Sequence, residues 1–526
     1  MRPSRSLRGA ALLVGLLAAG QAAAGLSAAE QAGKRLFETG IGASGEAPQA
    51  QVGGGGLTLP ASSLPCANCH GPDGRGRPEG GVTPPDIRWS ELVKPYGHVH
   101  TNRRKHGPFD EGAFRIAVSE GLDPAGNRLD PAMPRYLLSA ADYGHLKAYL
   151  THLEARIAPG VSDDTVRVGT LLPLRGPLAE AGKAVRALLE AQFEAINAEG
   201  GIYGRRLELA VAEYMGREEE SLANLDRLLD DGAGVFALVS PFAAGFETRL
   251  TDLAKARNLP VLAPVVVELD MRPAANTHVF HLLSGGAELA SVLADYCVET
   301  LGLAGRDIAL LRPAGPAGEL AAAEVRQRLA AQGVDGVVEE VFRPGLSQPA
   351  AHAEALRRKG VRAVVVVGPG LDPVAFAAAA DGAGWYPELM IPGPFAPQGV
   401  LALPPGFASK VFVAYPNLPG DRNRPAWDAY ARVLARANIV QGPQATLVAT
   451  YSGVKLLAEG LKRAGRDLSQ EAMLEGLEKV QDFDAGLLPP LTYNTTRRIG
   501  ALGGFVVSVD LDRHVFRPIG QWRRLD

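Results

Sequence analysis

The chain has 526 residues, enough for two to three domains that each bury a core of their own. Its 54 basic and 57 acidic side chains leave a formal charge of −3, which excludes bulk attraction to nucleic acid or to an anionic membrane surface.

Residues 1–29 read as a secretory leader. Arg2, Arg5 and Arg8 precede a short apolar run over residues 10–19, and the small residues that follow place cleavage near Ala24 or Ala29. The run is too short for a comfortable membrane span, and no later stretch is long and apolar enough to cross a bilayer. No cysteine follows the run to carry a lipid anchor. The expectation is an exported, periplasmic protein with no membrane span in the mature chain.

The next feature is Cys66-Ala67-Asn68-Cys69-His70. Two thiols two residues apart, with an imidazole directly after, suit covalent haem c attachment: each sulfur adds across a vinyl group and His70 lies under the iron. A Cys-x-x-Cys pair alone also serves as a redox disulfide or as half of a zinc site. The adjoining His70, the glycine-rich residues 71–76 and the lack of a second cysteine pair favour haem. Met133, held between Pro131 and Pro134, is the expected sixth ligand, a loop or core position being the alternative. His98, His100 and His106 compete for that place, but their polar, Lys/Arg-rich surroundings predict solvated side chains, as they do for Arg103-Arg104-Lys105. Cys297 sits in an apolar helical pattern and is expected to be a buried thiol.

Residues 30–155 resemble a class I cytochrome c. Gln31-Ala32-Gly33-Lys34-Arg35-Leu36-Phe37 is similar to its N-terminal helix, residues 66–76 to the attachment site, and residues 140–150 to the C-terminal helix. The resemblance implies a small all-α domain with one covalent haem c, its iron between His70 and Met133. Residues 40–64, rich in Gly, Ala and Pro, are predicted to be a loose loop.

A Pro/Gly-bearing linker over residues 156–164 precedes a change of pattern. Apolar, strand-like runs at 166–172, 207–214, 235–240 and 259–265 alternate with helical stretches, and the alternation restarts at 308–311, 337–342, 363–367 and 389–392. Two such blocks predict two parallel-sheet α/β lobes. Within them, Val168-Gly169-Thr170-Leu171-Leu172-Pro173-Leu174, the run from Ile196 to Arg205, Asn258-Leu259-Pro260-Val261 and the segment Ala449–Leu457 resemble the type I periplasmic solute-binding proteins of the branched-chain amino acid class. The likeness covers residues 165–526 and implies two lobes that close on a small molecule. Strand carboxyl ends then place Arg175, Ser240, Ala244, Val267, Ala317 and Asp372 in the cleft. Ala243, Ala244 and Val267 stand where that class carries hydroxyl side chains, and Ala317 where it carries a tyrosine. Among these positions only Asp372 could meet an amino group, so a standard amino acid is not the expected ligand.

The sequence therefore predicts a multidomain protein: an all-α cytochrome c domain followed by a two-lobed type I binding fold. The expected function is periplasmic electron transfer by a haem c protein with a small-molecule ligand and a redox partner, either a periplasmic dehydrogenase or another cytochrome. The alternative is a substrate-binding or sensing receptor of the ABC-transporter type with an accessory cytochrome. No nucleophile–base motif, second haem motif or metal-ligand cluster points to an enzyme.

Overall fold

The computed structural model describes residues 26–53, 57–76, 81–100, 102–155, 158–270, 276–346, 348–418, 424–466 and 468–525. The expected leader lies, through residue 25, outside the described residues. The chain divides into two compact units, 1–157 and 158–526.

In the first unit, helix Ala28–Thr39 opens with a capping box: Ser27 Oγ accepts from the Glu30 amide at 3.3 Å while the Glu30 carboxylate accepts from the Ser27 amide at 2.7 Å. Its apolar face packs on helix Ala140–Ala155, with Phe37 and Tyr149 fully buried and their ring centroids 5.5 Å apart. The unit is not all-α. Strand Gln49–Val52 pairs antiparallel with both Leu57–Pro60 and Arg135–Leu137. The segment expected to be a loose loop supplies two of these strands because Gln49-Ala50-Gln51-Val52 alternates polar with apolar, Ala50 being fully buried. A further hairpin joins His98–Val99 to Lys105–His106.

In the second unit, two sheets form two lobes. The first runs in the order Ile499–Ala501, Val279–Leu283, Val261–Leu262, Ala237–Val239, Thr165–Leu172, Arg206–Glu213, all parallel. The second runs Val338–Phe342, Ile308–Pro313, Ala363–Val366, Glu388–Pro392, Val411–Tyr415 in parallel, and ends in the antiparallel strands Gly503–Asp510 and Val515–Arg524. Val168, Val364 and their neighbours are wholly buried, as strands covered on both faces require.

Each lobe begins with the same close approach. A Cβ placed on Gly182 of helix Ala179–Ala198 would lie 1.9 Å from the Pro173 carbonyl oxygen, and one on Gly318 of helix Pro316–Ala331 would lie 2.2 Å from that of Pro313. Only glycine lets the helix start this near the end of the strand before it. Gly182→Ala should therefore lower the stability of the second unit by about 1–3 kcal/mol through overpacking, read as a fall in its urea midpoint; an unchanged midpoint would show that the helix shifts freely.

The chain passes between lobes three times: after Leu283, after Tyr415 and at Leu502. Ser284 stitches two of these crossings, its Oγ accepting from the Gly503 amide at 2.8 Å and donating to the Ala501 carbonyl at 3.3 Å. Helix Gly286–Glu299 starts there, and Glu288, 1% exposed, accepts from the Gly285 amide at 2.8 Å. Burial, with the charge of Glu324 as a lesser cause, pushes the Glu288 carboxyl up to about 7. A carboxyl raised on folding stabilises the native state below its unfolded value near 4.5, and that contribution is lost as pH rises through about 7. Glu288→Gln should thus melt higher than the wild type at pH 8, on the order of 2 kcal/mol more stable, and nearly equal to it at pH 4. Equal melting at both pH values would contradict this.

Candidate functional site

The carboxyl ends of the parallel strands in both lobes carry the candidate cleft residues. In the first lobe, Val261–Leu262 and Ala237–Val239 run into loops tied to each other: the Ala243 amide donates to the Val265 carbonyl at 3.0 Å, and the Val265 amide to the Pro241 carbonyl at 2.8 Å. Ser240 turns the chain there with a left-handed φ of 49°. Its side chain is fully buried and its Oγ has no hydrogen-bond partner among the described residues, so it supports the loop from beneath and offers no surface to a solute.

Ala244 is half-buried and its carbonyl accepts from the Tyr214 hydroxyl at 3.0 Å. Val267 is 55% exposed, and its amide donates to Glu247 Oε1 at 3.1 Å. Glu247, the first residue of helix Glu247–Ala256, accepts with its other oxygen from the Gly245 amide, also at 3.1 Å. Glu268 is half-buried beside it, and burial, then the charge of Glu247, raises its carboxyl. The Arg175 guanidinium lies 3.1 Å from Glu213 with its side chain 82% exposed.

In the second lobe Ala317 is exposed in the first turn of helix Pro316–Ala331. Asp372 caps helix Pro373–Gly382, its carboxylate accepting from the Val374 amide at 2.9 Å. It borders an open concavity of about 530 Å³ formed by residues 370–373 and 394–397, with Phe395 among them. Sequence reasoning did not find Glu247 or Phe395. An acid in the first turn of a helix was the available signal for Glu247, and it reads equally well as a favourable partner of the helix dipole.

In the first unit, Cys66, Cys69, His70 and Met133 line one cavity of about 630 Å³. His70 is 6% exposed and its Nδ1 lies 3.0 Å from the Pro85 carbonyl. His98 and His100 are half-buried and His106 is buried, not solvated as expected. The hairpin register sets His98 opposite His106, and His100 shares their face, with its Nε2 2.9 Å from His106 Nε2. Burial, then the positive charge of Arg104, lowers His100 to about 4. Arg104 is not a free surface cation, since it pairs with the Asp123 carboxylate at 2.6 Å. Cys66, Cys69 and Cys297 are free thiols. Burial pushes the Cys66 thiol up to about 12, so it stays protonated at neutral pH, and Cys297 is buried in the second lobe as expected.

With iodoacetamide at pH 8, exposed Cys69 should therefore be alkylated well before Cys66 in the native chain, and all three cysteines should react once the chain is denatured. Mass mapping reads both results. A denatured chain whose Cys66 and Cys69 stay unlabelled would show both sulfurs covalently engaged.

Comparison with known proteins gives the second unit its relatives. The periplasmic binding protein family matches residues 165–512. A Leu/Ile/Val-binding protein, BraC3, of Rhizobium johnstonii is 22% identical over 345 residues, covering 63% of this chain and 88% of that protein. Among solved structures, a branched-chain amino acid ABC transporter protein from Thermus thermophilus with bound valine has a TM-score of 0.53 at 15% identity, over 69% of this chain and 97% of that one. A fatty acid ABC transporter substrate-binding protein from Thermomonospora curvata has a TM-score of 0.53 at 17% identity, over 70% and 94%.

These findings correct the haem c expectation. The matched family is that of periplasmic binding proteins and the relative BraC3 is a Leu/Ile/Val-binding protein, and among the described residues no three His, Cys, Asp or Glu side chains gather to hold a metal ion. Cytochrome c identity, iron binding and electron transfer are accordingly not assigned to the chain, and neither is a redox partner. Among the described residues no helix is long and apolar enough to cross a membrane. With two thirds of its length matched, the chain belongs to the periplasmic binding protein family.

Proposed function

We propose that residues 158–526 form a receptor that holds a small solute between its two lobes and closes on it. The observation that supports this most directly is the pair of parallel sheets with candidate residues at their strand carboxyl ends, joined by three crossings. In this reading Arg175, Ala244 and Val267 face the solute from the first lobe, Ala317 and Asp372 from the second, and Ser240 shapes the loop between them. The receptor works outside the cytoplasm and presents its solute to a transporter or a sensor. Its role is binding and delivery, without chemistry on the solute. The two structural neighbours differ in cargo, one being a branched-chain amino acid transporter protein with bound valine and the other a fatty acid transporter's binding protein, so the cargo of this fold varies widely. The first unit is a separate compartment, and Cys66, Cys69, His70 and Met133 are proposed as contacts for whatever its cavity holds.

Small-angle scattering on the full chain tests the receptor reading, using a panel of amino acids, amines, sugars and short fatty acids first ranked by thermal shift. A solute that raises the melting temperature should also shrink the radius of gyration as the lobes close. If no member of the panel shifts either quantity, the receptor reading fails.

A further inference from the structure

The first lobe's cleft loops present two main-chain donors, the amides of Gly245 and Val267, beside the N-terminus of helix Glu247–Ala256. Two converging amides at a helix N-terminus are a ready anion site. In this chain the place is taken. One carboxylate, Glu247, receives both donors at 3.1 Å, one on each oxygen. Its hydrogen bond to Val267 spans 20 residues of sequence and ties the two cleft loops together.

We infer that Glu247 is a specificity-determining residue: a resident carboxylate that plugs the cleft's anion site, so that the solute brings a neutral or cationic group to this end. The inference rests on the receptor reading of the cleft. A solute carboxylate seated on the Gly245 and Val267 amides would have to displace Glu247 or lie against it, like charge on like charge. The neighbouring groups reinforce the choice. Glu268 stands close enough for the charge of Glu247 to raise its carboxyl, and the nearby cation, Arg175, is engaged by Glu213. Across the cleft, Asp372 adds a further acid beside the apolar wall that includes Phe395. A solute with an apolar body and an amine or amide head matches both sides, whereas one headed by a carboxylate matches neither.

The full chain, Glu247→Ala and Glu247→Gln are compared by isothermal titration with two probes of one shape, L-valine and L-valinamide, after circular dichroism has shown that all three are folded. Valinamide keeps the amine and lacks the carboxylate. Removing the plug should raise valine affinity by roughly tenfold or more in Glu247→Ala over the wild type, while valinamide affinity should fall or stay level. Glu247→Gln retains one acceptor oxygen and should gain less. Valine affinity that is equal in wild type and Glu247→Ala, or higher in the wild type, would overturn the inference, as would no measurable valine binding by either. The receptor reading is judged separately, by compaction of the wild type with any solute of the panel, so the two failures are distinguishable.

Discussion

The three passages of the chain between its lobes constrain the rest of the second unit. Two of them are fastened together at Ser284, whose hydroxyl touches the chain on both sides of Leu502. The two crossings joined at Ser284 thus run side by side where the lobes meet. Glu288 lies at the same place, under the start of helix Gly286–Glu299, and its buried carboxyl puts a titratable group at the point where the lobes turn.

The loops at the strand ends differ between the two lobes. Ser240 and Ala263 both adopt left-handed backbone, at φ 49° and 53°, each directly after its strand. These turns bring the Gly245 and Val267 amides to one carboxylate. The second lobe offers a different surface, an open wall of prolines with Phe395 and one acid. The scaffold resembles that of solved structures at 15–17% identity, a likeness of fold alone.

Much of this frame was legible in the sequence, and the reason is burial. Parallel strands covered on both faces read as continuous apolar runs, so the expected run at 308–311 became Ile308–Pro313 and that at 363–367 became Ala363–Val366. Val411–Tyr415 carries the same signal and was passed over, whereas two other strands not foreseen lack it. Val515–Arg524 is an edge strand, half-exposed and carrying Arg517, Gln521, Arg523 and Arg524, and Val279–Leu283 is interrupted by His281. The sheet of the first unit was missed because glycine and proline around residues 40–64 mask two four-residue strands. Arg175 was placed by its strand end, and Val267 and Asp372 by strand ends together with the family resemblance. The role of Glu247 depends on a contact 20 residues away that no local pattern encodes. The cysteine motif misled in another way: a short spacing rule pointed to haem c, whereas the family and the relatives that the chain matches are named as binding proteins.

The first lobe is discontinuous in sequence, and this bears on how the protein is made. Its sheet is closed by Ile499–Ala501, its first helix packs against Gln444–Ala464, and the buried Arg498 guanidinium donates to the Thr277 carbonyl at 3.1 and 3.0 Å. Tyr493 reaches back to the His281 carbonyl and Gln470 to that of Phe236. A nascent chain that has reached residue 300 thus holds most of the lobe's strands yet leaves one sheet edge open and a helix face bare. Such a segment cannot complete its core before residue 501 arrives, and loops this long close slowly. The largest unit of the chain therefore completes its fold only once nearly all of it has been made.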